Sequence, residues 1–133
     1  MRSSAPPEGY STVTPSMNLR EADKAIQFYK DVFGAEERLR MPMPDGQVMH
    51  AELKIGDSIV TLGEAMRSPV SNLNAMIYVD DCDAVVARAV QAGATLMIPV
   101  DDMVRGDRGG RIRDPFGNSW FIATRKPDAA FED

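Results

Sequence analysis

The chain has 133 residues, of which 44% are hydrophobic and 26% charged, so its length and composition fit one globular domain able to bury a core. A formal net charge of −5 gives no general attraction to nucleic-acid backbones. The single cysteine, Cys82, excludes an intramolecular disulfide framework and suits a reducing compartment. No apolar run reaches the roughly 18 residues of a membrane span, and MRSSAPPEGYSTV lacks the apolar centre of a signal peptide, so a soluble cytoplasmic protein is expected.

Residues 1–11, rich in Ser, Pro and Gly, read as a flexible lead-in, and 126–133 as a tail. A short strand is expected over Val13–Leu19. Next, Ala22, Ala25, Ile26, Tyr29, Val32 and Phe33 recur at helical spacing, and Gly34 supplies the stop. An extended stretch over Glu37–Met43 leads to a Pro-Asp-Gly turn at 44–46 and a strand over Val48–Ile55. Gly56-Asp57 then turns the chain into a strand over Ser58–Gly63.

After a linker at 66–72 the pattern restarts in MIYVDDCDAVVARAVQAGAT, with strand, acidic junction, helix and the terminating Gly93. Placing Leu19 on Val79 sets Asp23 on Asp83, Ala25 on Val85 and Ile26 on Val86 at a constant offset of 60, with one residue dropped before the glycine. A repeat of this kind predicts an α+β fold of two tandem βαβββ modules, 12–65 and 73–125 within one domain at 12–125, forming a curved mixed sheet around a cleft. The closing segment GRIRDPFGNSWFIAT reads as an arginine-rich strand, a tight turn and an aromatic strand.

Alternation within strands assigns faces. Ala51, Leu53 and Ile55 should pack on a helix, leaving His50, Glu52 and Lys54 opposite. Met17 and Leu19 pack, sending Thr14, Ser16 and Asn18 to the cleft. Ile77 and Val79 pack, sending Asn74, Met76 and Tyr78 inward. In the last strand Trp120 and Ile122 pack, and Ser119 and Phe121 line the cavity.

The elements ending in IQFYKDVFGAE, their echo VDDCDAVVARAVQAGAT, DGQVMHAELKIGDS and above all GDRGGRIRDPFGNSWFIAT resemble the vicinal oxygen chelate superfamily. This is the glyoxalase, bleomycin resistance protein and extradiol dioxygenase group, and the resemblance points to its PhnB-like branch over residues 12–125. It implies the paired βαβββ fold, a homodimer and, in metal-dependent members, a divalent ion held by the first and last strands of each half. Carried over by counting, those positions are Thr14, Glu64, Asn74 and Phe121, among which only Glu64 is a strong donor. A divalent ion wants three or four good donors, so no metal cofactor is expected. The alternative is a zinc, iron, manganese or nickel ion held by His50, Glu52 and Glu64, or an acid/base pair of His50 and Glu52.

Other features have plainer readings. Cys82, flanked by Asp80, Asp81 and Asp83, suits a structural role better than a nucleophile. Arg105, Arg108, Arg111 and Arg113 could fork onto a ligand anion, but interleaved Asp101, Asp102, Asp107 and Asp114 favour a mutually paired surface loop. Most of the nine methionines fill core, while Met76 has cleft parity and suits a variable apolar ligand. Two functions remain. One is a metal-free binder that sequesters an aromatic or amphipathic small molecule, as antibiotic-resistance members do, in a cavity drawing on Asn18, His50, Met76, Tyr78, Arg113 and Trp120 or Phe121. The other is a metal-dependent lyase, isomerase or dioxygenase of glyoxalase type. Neither predicts a nucleic-acid or membrane partner.

Overall fold

The computed structural model describes residues 5–66, 69–104 and 106–126. Arg67, Ser68 and Arg105 and the segments 1–4 and 127–133 lie outside the described residues, and with them part of the predicted linker, nearly all of the tail and one arginine of the cluster. Among the described residues no helix is long and apolar enough to cross a membrane.

The chain divides into two compact units, 1–71 and 72–133. The first contains β1 (Ser16–Leu19), α1 (Ala22–Phe33), β2 (Glu36–Pro42), β3 (Val48–Ile55) and β4 (Ser58–Glu64). The second contains β5 (Asn74–Tyr78), α2 (Cys82–Gln91), β6 (Thr95–Asp102), β7 (Arg108–Arg113) and β8 (Ser119–Thr124). Each unit builds one four-stranded mixed sheet, in the orders β1-β4-β3-β2 and β5-β8-β7-β6. In each the first strand runs parallel to the fourth and the remaining pairs are antiparallel. The βαβββ repeat read from sequence is therefore realised twice. Its first strand starts at Ser16 rather than Val13, because ladder pairing with β4 begins there.

The predicted faces follow the hydrophobic periodicities. Ala25, Ile26, Tyr29 and Val32 of α1 are buried, as are Met17, Leu19, Ala51, Leu53 and Leu62 of the sheet. The Tyr29 hydroxyl, fully buried, donates to Met17 Sδ at 3.9 Å, which meets the polar tip's need for a partner. In the second unit Val85, Val86 and Ala89 of α2 are buried with Ile112, Trp120 and Ile122. Burying such side chains contributes about 1.5–3 kcal/mol each and drives the folding of each module.

The two helices start in equivalent ways. Glu21 precedes α1 in a left-handed conformation (φ 56°) and makes no side-chain cap bond. The first helical N–H, that of Ala22, donates instead to Glu64 Oε1 at 2.7 Å, from the end of β4. At α2 the Cys82 N–H donates to Thr124 Oγ1 at 2.9 Å, from the end of β8, and the Thr124 hydroxyl donates on to Val79 O. Both caps obey the offset of 60 seen in the sequence. The Asp81 side chain adds a second cap bond, accepting from Ala84 N–H at 3.2 Å.

Glu64 is thus a helix cap borrowed from a distant strand. Glu64→Ala is expected to lower stability by about 1–2 kcal/mol, because a helix terminus loses both an acceptor and a favourable negative charge. Urea unfolding of the variant checks this, and an unchanged midpoint would show that α1 holds without the borrowed carboxylate.

The Asp-Pro-Phe-Gly-Asn turn between β7 and β8 is built around a buried carboxylate. Asp114 Oδ1 accepts the N–H groups of Phe116 (2.9 Å) and Asn118 (3.0 Å), while Oδ2 accepts the Trp120 indole N–H at 2.9 Å. Gly117 takes φ 96°, a conformation costly for other residues. Asn118, fully buried, accepts the Leu73 N–H at 3.0 Å and so ties the turn to the approach to β5.

Candidate binding face of the second module

The face of the second sheet opposite α2 is set by three strands in register. Asn74, Met76 and Tyr78 of β5 pair with Ser119, Phe121 and Ala123 of β8. Across β8, Gly109, Arg111 and Arg113 of β7 pair with Ala123, Phe121 and Ser119. Side chains on this face alternate with the buried Ile112, Trp120 and Ile122.

Arg111 organises the centre of that face. Its Nη1 donates to Asn74 Oδ1 at 2.6 Å and to Ser119 Oγ at 2.8 Å, and its guanidinium carbon stands 5.5 Å from the Phe121 ring centroid. Two neutral acceptors and an aromatic face therefore fix the cation. Gly109 leaves room for the ring: a Cβ there would lie 2.8 Å from Phe121 Cε2. Asn74, Ala75, Met76, Arg111 and Phe121 line an open depression of about 390 Å³.

At the other end of β5, Tyr78, Val79, Asp80, Thr124 and Arg125 line a second depression of about 560 Å³. The Tyr78 hydroxyl donates to Asp107 Oδ2 at 3.2 Å, and the other Asp107 oxygen, Oδ1, is buried with no hydrogen-bond partner among the described residues.

The arginine segment behaves differently from the mutual pairing expected of it. Arg108 does follow that expectation, forking onto Asp83 at 2.8 and 3.0 Å and reaching Asp102 at 3.3 Å. That guanidinium holds the Asp83 carboxyl below its ordinary range. Asp107 and Asp114 turn instead to Tyr78 and to the β7–β8 turn. Arg111 meets no carboxylate among the described residues. The strand parity of Gly-Arg-Ile-Arg carried that signal, since a buried Ile112 puts Arg111 on the open face; the neighbouring aspartates obscured it.

Of the residues expected to bind ligand, Met76, Tyr78 and Phe121 share this face, and Arg113 lies on it at the strand end, exposed. Trp120 does not belong with them. It is buried on the helix side, where its indole serves Asp114.

In the first module Asn18 is exposed on β1, and His50 and Glu52 lie on the face of β3 opposite α1. His50 Nε2 is 3.6 Å from Glu52 Oε2. Tyr10, from the predicted lead-in, lies beside Glu52, whose carboxylate is the main cause pushing the phenol pKa above its ordinary value. Glu64 is not beside this pair; its carboxylate is taken by α1. Among the described residues no three His, Cys, Asp or Glu side chains gather as a metal site. Cys82 is buried with its thiol donating to Arg108 O at 3.4 Å, a structural placement.

The four counted metal positions also fall differently in space. Thr14 precedes β1 and donates to Ser11 O at 3.5 Å. Asn74 and Phe121 are engaged by Arg111. The β4 residue equivalent to Phe121 by strand register is Thr61, three residues before Glu64, since Ser16 pairs with Thr61 as Met76 pairs with Phe121. Two threonines, an amide and a phenyl ring do not fit the donor set of a divalent ion.

This pair of βαβββ modules is the fold of the vicinal oxygen chelate proteins, and the sequence agrees. The family model of the glyoxalase/bleomycin resistance protein/dioxygenase superfamily matches residues 13–122, and the chain belongs to that superfamily. It is 36% identical over 122 residues to the uncharacterized protein Mb0911c of Mycobacterium bovis, covering 83% of this chain and 80% of that one. It is 32% identical over 130 residues to the uncharacterized protein At5g48480 of Arabidopsis thaliana, covering 83% and 77%. Among solved structures, TioX from Micromonospora sp. ML1 superposes with a TM-score of 0.71 at 25% identity, covering 92% of this chain and all of that one (100%).

Proposed function

We propose that the protein is a small-molecule-binding member of the superfamily, of its PhnB-like branch, which holds an aromatic or amphipathic compound on the open face of the second module without a metal ion. The observation that carries this reading is the Arg111 guanidinium resting on Phe121 and bonded to Asn74, two positions at which a metal-dependent relative would need donors. Met76, 50% exposed, and Tyr78, 56% exposed, extend the apolar surface with an adaptable thioether and a flat ring. Sequestration in the manner of antibiotic-resistance members follows from binding without chemistry. A cytoplasmic homodimer suits the free Cys82 and the exposed Leu96, Met97 and Ile98 on the edge strand β6, which a second copy would cover.

The test is equilibrium dialysis of chelator-treated protein against planar aromatic compounds. Binding is expected to persist in chelator and to weaken about tenfold or more in Phe121→Ser, the loss of one aromatic contact in a partly buried site. Binding that vanishes with chelator and returns with zinc, iron, manganese or nickel would overturn it. A second reading, proton transfer by the Tyr10–Glu52–His50 group, rests on His50 Nε2 standing 3.6 Å from Glu52 Oε2 with Tyr10 beside the same carboxylate. It requires turnover that disappears in His50→Ala and Glu52→Gln.

A further inference from the structure

We infer that Arg111 is an anion anchor, and that the compound bound on the second module carries a carboxylate-type oxyanion on a flat apolar body. This rests on the binding reading above and names the ligand class for it.

The charge on Arg111 is held but not neutralised. Its two bonds, both from Nη1, go to an amide oxygen and a hydroxyl, neither of which carries charge. Arg108, three residues earlier on the same strand, shows what neutralisation looks like, with bonds to two carboxylates. In a chain of net charge −5 carboxylates abound, so a half-buried arginine that meets none of them among the described residues is conspicuous.

A guanidinium has five N–H groups in a planar fork. The two on Nη1 match the two acceptors found. Left over are the N–H groups of Nε and Nη2, the parallel pair that grips both oxygens of a carboxylate at once. The bonds to Asn74 and Ser119, with the Phe121 ring centroid 5.5 Å from the guanidinium carbon, restrain the fork, so little side-chain entropy remains to be lost on binding. The same depression is lined by Met76 and the Phe121 ring, which would receive an apolar body attached to the anion.

The experiment is calorimetric titration of the full-length protein with two isosteric probes, 2-naphthoate and the neutral 2-naphthamide, at low ionic strength. Naphthoate is expected to bind about ten- to a hundredfold more tightly, the range for a hydrogen bond to a charged group. Raising salt should weaken naphthoate and leave the amide unchanged. In Arg111→Gln the two affinities should converge; Arg111→Lys, which keeps the charge but not the fork, should fall between. Equal affinities for the two probes in the unmodified protein, or no response of naphthoate to salt, would overturn the anion anchor while leaving the binding face intact. The unmodified protein decides this even if Arg111→Gln does not fold. Failure of both probes to bind would overturn the anchor and the binding reading together.

Discussion

Asp114→Ala is expected to destabilise the protein by about 3 kcal/mol or more, because three donors lose a charged acceptor and two of them are buried. The Asn118 N–H and the Trp120 indole have no water to turn to, and Phe116 N–H is partly shielded as well. The loss should spread beyond the turn, since Asn118 also holds Leu73 at the entrance to β5. Asp114→Asn keeps one acceptor oxygen but presents an amide donor where the other oxygen stood, so about half the loss is expected. Trp120→Phe, which removes one bond and keeps most of the packing, should cost about 1–2 kcal/mol. Urea unfolding of the three variants orders them; an Asp114→Ala protein within about 0.5 kcal/mol of the original would mean that the turn is held by its backbone alone.

Gly63→Ala should be comparably harmful for a steric reason. A Cβ at this position in β4 would overlap the Met49 carbonyl oxygen and lie 3.1 Å from the carbonyl carbon, both of them backbone atoms that cannot rotate away. β3 and β4 must separate locally, which strains their ladder and loosens Leu62, buried in the core. A cost of about 2–3 kcal/mol is expected, at the upper end for overpacking. Gly46→Ala is the control for added volume without a clash: nothing lies within 4 Å of its Cβ, and its penalty comes from φ 89° alone. If the two variants unfold at the same denaturant concentration, the approach of Met49 to β4 does not limit side-chain size.

The parts of this protein legible in the sequence were those governed by neighbours along the chain. Helical spacing from Ala22 to Phe33, with Gly34 in the left-handed conformation behind it, needs only local geometry to be recognised. Strand alternation placed Met17 and Leu19 inside and His50 and Glu52 outside for the same reason. The repeat was visible because both modules must bury equivalent faces; it even carries the caps of both helices, Glu64 and Thr124, at the same offset.

Counting failed where it crossed a hairpin. The tight Gly56-Asp57 connection and the longer 114–118 turn separate the strands of the two modules by different lengths, so distance from the hairpin is a poor guide to equivalence. Ladder pairing shows that Thr61, not Glu64, stands where Phe121 does. By the same register Glu52 pairs with Thr61 as Arg111 pairs with Phe121, so the open faces of the two modules carry opposite charges at equivalent points.

By itself, the order of residues determined two βαβββ units, their buried faces and the turn chemistry, because periodicity and backbone preference act over a few residues. Tertiary structure alone decided what each polar group does. Glu64 lies 42 residues from the N–H it caps, and Arg111 lies 37 from the Asn74 that holds it. Hydrogen bonding is short-ranged and directional, so a carboxylate becomes a cap and an arginine escapes its neighbouring aspartates only once the sheets have set which atoms meet.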